Sequence, residues 1–196
     1  MSGQAPLRLV VLISGNGSNL QAILDRCGDG SVPAEVVGVL SNRADAYGLQ
    51  RAERAGVTTA VIDHRDYPDR ESFDSAVAAQ IDRWQPDLVV LAGFMRILSE
   101  GFVRRYQGRM LNIHPSLLPK YRGLDTHHRV LEAGEREHGC SVHYVTPELD
   151  AGPVLLQERV AVHADDTPQS LAERVHQAEH RIYPEAIRLF AHSRSR

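Results

Sequence analysis

The sequence predicts an α/β protein built on a doubly wound, mainly parallel sheet. Three observations carry that prediction. Short apolar runs alternate four times with segments of helical periodicity between Leu7 and His114, the pattern of a right-handed parallel sheet covered on both faces. A glycine-rich turn follows the first run directly. Beyond Pro119 the alternation gives way to two strand-like runs joined by a short turn, then to one long amphipathic stretch, so antiparallel C-terminal strands and a closing helix are expected. With 196 residues, 42% hydrophobic and 24% charged, the chain is long enough for one substantial core. It shows no repeat, low-complexity tract or linker, so residues 1–196 read as a single domain.

Leu7 to Ile13 is almost continuously apolar, as a strand buried on both faces should be. Ser14-Gly15-Asn16-Gly17-Ser18-Asn19 follows, with Leu20, Ile23 and Leu24 at helical spacing. Such a corner favours an anion through its backbone N–H groups and helix dipole. Its plainer reading is a turn with a serine or asparagine cap. No Gly-Lys-Ser/Thr is present, so this is not a nucleoside-triphosphate loop. A dinucleotide fingerprint would place its third glycine where Leu20 stands. The next strand, Glu35 to Leu40, ends in Ser41-Asn42 rather than in an acid for a ribose diol. A single phosphate, as on a phosphoribosyl compound, fits better than NAD.

Ala44 to Gly56 reads as a helix capped at Gly56, Val57 to Ile62 as a strand, and His64 to Asp69 as a polar connection. A helix then carries Phe73, Val77, Ile81 and Trp84 on one stripe, a core face rather than a ligand platform. Pro86-Asp87 ends it. Leu88 to Ala92 is another buried strand, Ser99 with Glu100 opens a short helix, and Arg109 to His114 is the next strand. Asp125 to Ala133 is expected to be helical. Gly139 to Thr146 and Pro153 to Val162 are expected as a hairpin around Pro147–Gly152, and Pro168 to about Phe190 as a helix with Pro184 a candidate kink. The whole reads as Rossmann-like, a parallel N-terminal half followed by antiparallel strands and a closing helix.

Composition narrows the function. A net charge of -3 gives no general attraction to nucleic acid or anionic membranes, and the basic clusters Arg104-Arg105 and Arg194-Ser195-Arg196 read as solvated surface. The apolar run at Leu9 to Ile13 is too short for a signal segment or a membrane span. The two cysteines, Cys27 and Cys140, lack metal spacing and read as reduced thiols, so a cytoplasmic protein is expected. Among ten histidines there is no His-Glu-x-x-His, and His127-His128 diverge on a helix. No metal is expected.

Chemistry concentrates after the fifth strand. Side chains alternate along a strand, so Asn112 and His114 share one face while Leu111 and Ile113 take the other. Pro115 ends the pairing beside His114. A carboxamide donor next to an imidazole suits the oxyanion that develops when a carbonyl is attacked, with His114 as general acid or base. Asp150, in the hairpin turn, is the carboxylate best placed to orient and hold the imidazolium. The same residues also fit a strand cap and an ordinary turn aspartate, and residue types alone do not choose. Ser14, Ser18 and Ser116 lack a Gly-x-Ser-x-Gly elbow, which argues against a serine hydrolase.

Four runs then coincide in order: Ser14 to Asn19, Leu91-Ala92-Gly93-Phe94-Met95-Arg96-Ile97-Leu98, Asn112-Ile113-His114-Pro115-Ser116-Leu117-Leu118-Pro119, and Leu149-Asp150-Ala151-Gly152-Pro153. Together they closely resemble the phosphoribosylglycinamide formyltransferase family, from about Leu9 to Tyr183. The resemblance implies formyl transfer from 10-formyltetrahydrofolate to the amine of 5-phosphoribosylglycinamide in purine synthesis, without metal. It implies a catalytic trio of Asn112, His114 and Asp150, and phosphoribosyl contacts at Gly17, Ser18, Asn19 and Gly93. It implies a ribose contact at Glu179, which as a lone residue reads as a solvated helix position. Folate contacts fall on Arg70, Met95, Arg96, Ile97, Leu98 and Asn112, with Val145, Pro147 and Asp150 on the turn. Arg70 and Arg96 would meet its anionic groups, though by charge alone each reads as a surface arginine. Residues 7–107 would then bind the phosphoribosyl group, and 108–190 would hold catalysis and folate, in a monomer or homodimer.

The chain departs from the family at Ala151, usually glycine, at Pro147, where an aspartate is usual, at Asp125 for a histidine and at His176 for a glutamine. Two relatives compete on the same trio. A formyltetrahydrofolate hydrolase would carry an N-terminal regulatory domain ahead of Leu7, and a methionyl-tRNA formyltransferase would carry a C-terminal domain and a basic surface. A nonenzymatic phosphoribosyl sensor would need only the Gly15–Asn19 corner.

Overall fold

A computed structural model describes residues 3–194, so Ser195 and Arg196 of the basic tail lie outside the described residues. The first strand, β1 (Leu7–Ile13), has the expected bounds. Leu9, Val11 and Ile13 enter one apolar layer, whereas Val10 and Leu12 enter the other. This is why the run is continuously hydrophobic: both faces of the strand are covered. Then come α1 (Ser18–Gly28), β2 (Ala34–Ser41), α2 (Tyr47–Arg54), β3 (Thr59–Val61), α3 (Arg70–Trp84) and β4 (Leu88–Leu91). The chain continues through α4 (Glu100–Arg105), β5 (Met110–His114), α5 (Thr126–Glu132), β6 (Glu137–Tyr144), β7 (Val154–Ala161) and α6 (Pro168–Ser193).

The sheet order is β3-β2-β1-β4-β5-β6-β7, parallel through β5 and antiparallel at β6 and β7. Strand order reverses at β1, which lies between β2 and β4. The crevice beyond the C-terminal ends of β1 and β4 is therefore the place where open α/β sheets take ligands. One layer packs α1 and α6 against the sheet through Leu20, Ile23, Leu171, Val175, Ala178 and Ile182. The opposite layer packs α3 and α4 through Phe73, Val77, Ile81, Phe102 and Val103.

Element ends moved where tertiary contacts outweighed local pattern. The second helix begins at Tyr47, not Ala44, because Ser41 and Arg43 close a side-chain turn and the Gly48 N–H donates to Gly15 O at 3.0 Å. The third strand shrinks to Thr59–Val61, and a 3-10 turn at His64–Asp66 occupies the polar connection. Strand β6 starts and stops two residues before the expected Gly139–Thr146, since the Tyr144 N–H donates to Pro153 O at 2.9 Å and closes the hairpin there. Helix α6 runs unbroken through Pro184 to Ser193. Proline there gives up its own N–H donor and crowds the carbonyl four residues back, and the buried neighbours Ile182, Tyr183, Ala186 and Ile187 hold the helix against the core across it.

Candidate active site

Strand β5 delivers Asn112 and His114 on the face opposite Leu111 and Ile113, which lie in the α6 layer. Pairing with β6 ends at His114 and Ser141. The loop that follows is fastened from beneath. Ser141 Oγ donates to Ser116 O at 2.7 Å and accepts from the Leu118 N–H at 3.0 Å, while Gln157 Nε2 donates to Leu118 O at 2.9 Å. Thr126 Oγ1 donates to Pro115 O at 2.7 Å, tying the loop to the start of α5. A cis peptide joins Leu118 to Pro119.

His114 is buried, and its Nε2–H donates to Tyr121 O at 2.8 Å. A carbonyl only accepts, so this bond assigns the hydrogen to Nε2 and leaves Nδ1 as the nitrogen that exchanges a proton. Nδ1 faces Asp150 Oδ2 at 3.5 Å, with both side chains under 10% exposed. That spacing is an ion-pair distance, too long for a strong hydrogen bond, so an atom arriving beside Nδ1 competes with the carboxylate for the proton. Asp150 is itself held, because the Gly123 N–H donates to Oδ2 at 2.9 Å. Asn112, opposite His143 on β6, is half-buried on the same face. The structure thus brings all three expected residues to one strand end. Tyr121 and Gly123 act through main-chain groups, for which residue types give no signal.

The turn at Asp150 accommodates Ala151, where glycine is usual in the family. The left-handed residue is Asp150 itself, φ 52, so glycine is not required at position 151. Glycine is required at 152, where a Cβ would lie 1.7 Å from Tyr144 O.

At the glycine-rich corner neither a serine nor an asparagine caps α1. The N-cap is Gly17, φ 78, without a side-chain cap bond. A Cβ at Gly17 would meet Gly48 Cα at 2.6 Å, so glycine serves both the left-handed backbone and the close approach of α2. The N–H groups of Ser18 and Asn19 open the helix, where the first turn has no intrahelical acceptors. Arg51 supports the loop through Asn16, donating from Nε to the carbonyl at 2.8 Å and from Nη2 to Oδ1 at 2.8 Å.

Glu179 overturns its residue-level reading as a solvated helix position, because it is only 6% exposed. Its Oε1 accepts from Asn19 Nδ2 at 3.3 Å, while Oε2 and Asn19 Oδ1 are buried without a partner. Burial pushes its carboxyl up to about 7, against a smaller downward pull from the Asn19 amide. His176 lies 3.9 Å from Glu179 Oε2 and is largely exposed.

Between β4 and α4 the Gly93–Leu98 segment crosses the crevice. The Met95 N–H donates to Ser14 Oγ at 2.7 Å, and Ser14 Oγ donates to Asn42 Oδ1 at 2.5 Å, so this segment is bonded to the end of β1. Gly93 is exposed with φ 76. Met95 and Ile97 are exposed, as is Leu149 on the hairpin, whereas Leu98 and Val145 pack against the α3 layer. Arg96 is not a surface arginine: its Nε is buried without a partner, and its guanidinium lies 5.9 Å from the Phe73 ring centroid. Arg70 does read as surface, exposed at the start of α3. Pro147 is exposed, and Asp125 is the N-cap of α5 with φ 55 and no side-chain cap bond.

Unpartnered buried acceptors at Asn19 and Glu179 are sites for hydroxyl or amine donors. A buried guanidinium N–H on a segment that exposes Met95 and Ile97 suits a flat apolar ligand with an anionic end. Residue types therefore fit both a phosphoribosyl amine and a folate.

Two further clusters stand apart. His127 Nδ1 and His138 Nε2 lie 3.0 Å apart, a pairing between α5 and β6 that the diverging His127-His128 pattern does not announce. A cavity of about 510 Å³ lined by Arg43, Ala44, Asp45, His64 and Arg65 opens at the ends of β2 and β3. Its arginines are already paired with Asp45 and Asp63. Among the described residues no group of three or more His, Cys, Asp or Glu side chains is placed to hold a metal.

The chain is closely similar to known proteins over nearly its whole length. The model of the formyl transferase family matches residues 7–187. The phosphoribosylglycinamide formyltransferase of Escherichia coli (strain K12) is 54% identical over 188 residues, 96% of this chain and 89% of that protein. The trifunctional purine biosynthetic protein adenosine-3 of Bos taurus is 50% identical over 184 residues, 94% of this chain and 18% of that protein. Among solved structures, the phosphoribosylglycinamide formyltransferase of Coxiella burnetii superposes with a TM-score of 0.92 at 56% identity, over 96% of this chain and 89% of that one. Glycinamide ribonucleotide transformylase 1 of Symbiobacterium toebii gives 0.95 at 48% identity, over 99% and 94%.

Proposed function

The chain belongs to the formyl transferase family, and on that footing we propose that it works through Asn112, His114 and Asp150. The reaction is transfer of the formyl group of 10-formyltetrahydrofolate to the amine of 5-phosphoribosylglycinamide, giving formylglycinamide ribonucleotide and tetrahydrofolate, in purine biosynthesis. The observation that carries the site assignment is the buried His114–Asp150 pair at 3.5 Å with Nε2 committed to Tyr121.

When bound, 10-formyltetrahydrofolate supplies a carbonyl carbon open to attack. Asn112 donates from its amide to the carbonyl oxygen as negative charge gathers there. His114 donates from Nδ1 to the same region and keeps its ring plane through the Tyr121 bond. Asp150 stabilises the imidazolium and accepts the proton shed by the attacking amine, directly or through a water, and that proton passes to N10 as the C–N10 bond breaks and tetrahydrofolate leaves. Ser18 and Asn19 hold the phosphate at the start of α1 with Gly17 and Gly93 shaping the corner, and Glu179 accepts from the ribose. Met95, Arg96, Ile97, Leu98 and Arg70 hold the folate, with the main chain of Val145 and Pro147. These contacts make residues 7–107 chiefly phosphoribosyl-binding and 108–190 catalytic and folate-binding, although Glu179 and the Arg96 region cross that line. Among the described residues no helix is long and apolar enough to cross a membrane, and we place the enzyme in the cytoplasm as a monomer or homodimer.

The test mixes purified protein, 5-phosphoribosylglycinamide and 10-formyltetrahydrofolate and follows tetrahydrofolate. Product that depends on the amine supports the reading. Formate release without the amine would replace it with a hydrolase, and saturable binding of the ribonucleotide without turnover would replace it with a sensor.

A further inference from the structure

Between His114 and Asp150 runs a five-residue segment, Tyr121 to Asp125, whose backbone is unusual. Tyr121, Gly123 and Asp125 all have positive φ, at 54, 83 and 55. For residues other than glycine that conformation is disfavoured and persists only where neighbours impose it. Yet this segment supplies both main-chain contacts of the catalytic pair, Tyr121 O to His114 Nε2 and the Gly123 N–H to Asp150 Oδ2.

Two arginines impose the conformation. From α5, Arg129 donates Nε to Leu124 O at 2.9 Å and Nη2 to Arg122 O at 2.6 Å, with its guanidinium 5.6 Å from the Tyr121 ring centroid. One planar fork thus holds two carbonyls of the segment and covers its aromatic ring. From the segment itself, Arg122 reaches the hairpin on the far side of the site. Its Nε donates to Leu149 O at 3.0 Å, Nη2 donates to the same carbonyl, and Nη1 meets Glu148 Oε1 at 3.2 Å. Leu149 is the residue before Asp150. Arg129 therefore fixes the loop to its helix, and Arg122 fixes the loop to the turn that carries the carboxylate. Neither guanidinium contacts His114 or Asp150.

We propose that Arg122 and Arg129 are positioning residues for formyl transfer, forming a two-arginine clamp that sets the His114–Asp150 spacing through the Tyr121–Asp125 segment. This rests on the assignment of His114 and Asp150 as the reacting pair. Loosening either arm lets the Gly123 N–H leave Asp150 and the Tyr121 carbonyl leave Nε2. The imidazole then loses its fixed tautomer while the phosphate corner and the Gly93–Leu98 segment stay in place. The predicted loss is in turnover, not in substrate binding.

The experiment compares Arg122→Ala, Arg129→Ala and the double variant with the parent enzyme in the formyl-transfer assay. Each single variant is expected to lower kcat about tenfold with KM for the ribonucleotide changed less than about twofold, and the pH profile of kcat should shift. Because both arms act on one segment, the double variant should lose little more than the worse single variant. Added guanidinium should restore part of the kcat of Arg122→Ala. Unchanged kcat, fully multiplicative losses, or a fall in kcat matched by an equal rise in KM would overturn the clamp. Should an alanine variant not fold, Arg129→Lys decides. Lysine keeps the charge but cannot span two carbonyls with a planar fork, so unaltered kcat and pH profile in that variant would also overturn the proposal. Activity of the parent enzyme, with loss in Asn112→Ala, tests the underlying site assignment separately.

Discussion

His114 has a chosen tautomer before any ligand arrives, because its two nitrogens face unlike neighbours: a carbonyl at Nε2 and a carboxylate at Nδ1. Replacing it with alanine removes the proton carrier, and Asn112→Ala removes a donor to the oxyanion. Each is expected to lower kcat by roughly 10²-fold or more with the fold intact, and steady-state kinetics beside circular dichroism checks both. Glu179 makes a different prediction. Its carboxyl sits at about 7 in the fold against an ordinary value of 4.5, so the folded protein holds a proton that the unfolded chain releases. The associated stability is complete below about pH 4.5 and is lost as pH rises through 7. Glu179→Gln removes the titration, so its stability relative to the parent should rise between pH 5 and pH 8 by on the order of 3 kcal/mol. Urea unfolding at the two pH values measures this, and a difference independent of pH would refute it.

Among the elements, the β6–β7 hairpin is the one whose geometry the chemistry depends on most directly. Its turn presents Asp150 at φ 52 and then packs Gly152 against the Tyr144 carbonyl. Gly152→Ala must push strand and turn apart, at a cost of about 2–3 kcal/mol, and should displace Asp150 enough to reduce kcat as well. Thermal melts and turnover should fall together, and a variant that melts normally would show that the close approach is not needed. The closing helix has the opposite character. It starts with a reciprocal cap between Thr167 and Ser170, and its stripe from Leu171 to Ile182 was readable from spacing alone. What spacing did not show is that Glu179 lies beside that stripe and under α1. Helical periodicity gives the direction of a side chain but not what a neighbouring element places over it.

At the scale of the molecule, titratable groups that the fold buries in their neutral forms bracket stability from opposite ends of the pH range. His138 is held neutral, its pKa pulled down to about 4 by burial first and then by the nearby His127 and His114 charges. His127 and His143 shift the same way, chiefly by burial. A depressed imidazole contributes stability above its unfolded value near 6.5 that is lost as pH falls through 4. With Glu179 acting from the alkaline side, urea midpoints should peak between about pH 5 and 6.5 and decline on both sides. A midpoint still climbing from pH 6.5 to 8 would contradict that balance. The sequence by itself determined the strand and helix order, the parallel-to-antiparallel change after Pro119, and the face shared by Asn112 and His114. These follow from periodicity and turn chemistry, which act between residues close in the chain. Only the tertiary structure decided which carbonyl fixes the imidazole, that Glu179 and Arg96 lie under neighbouring segments, and that Arg122 and Arg129 bind the Tyr121–Asp125 segment to the hairpin. Those depend on main-chain groups and on residues brought together from distant parts of the chain, and neither leaves a mark in local pattern.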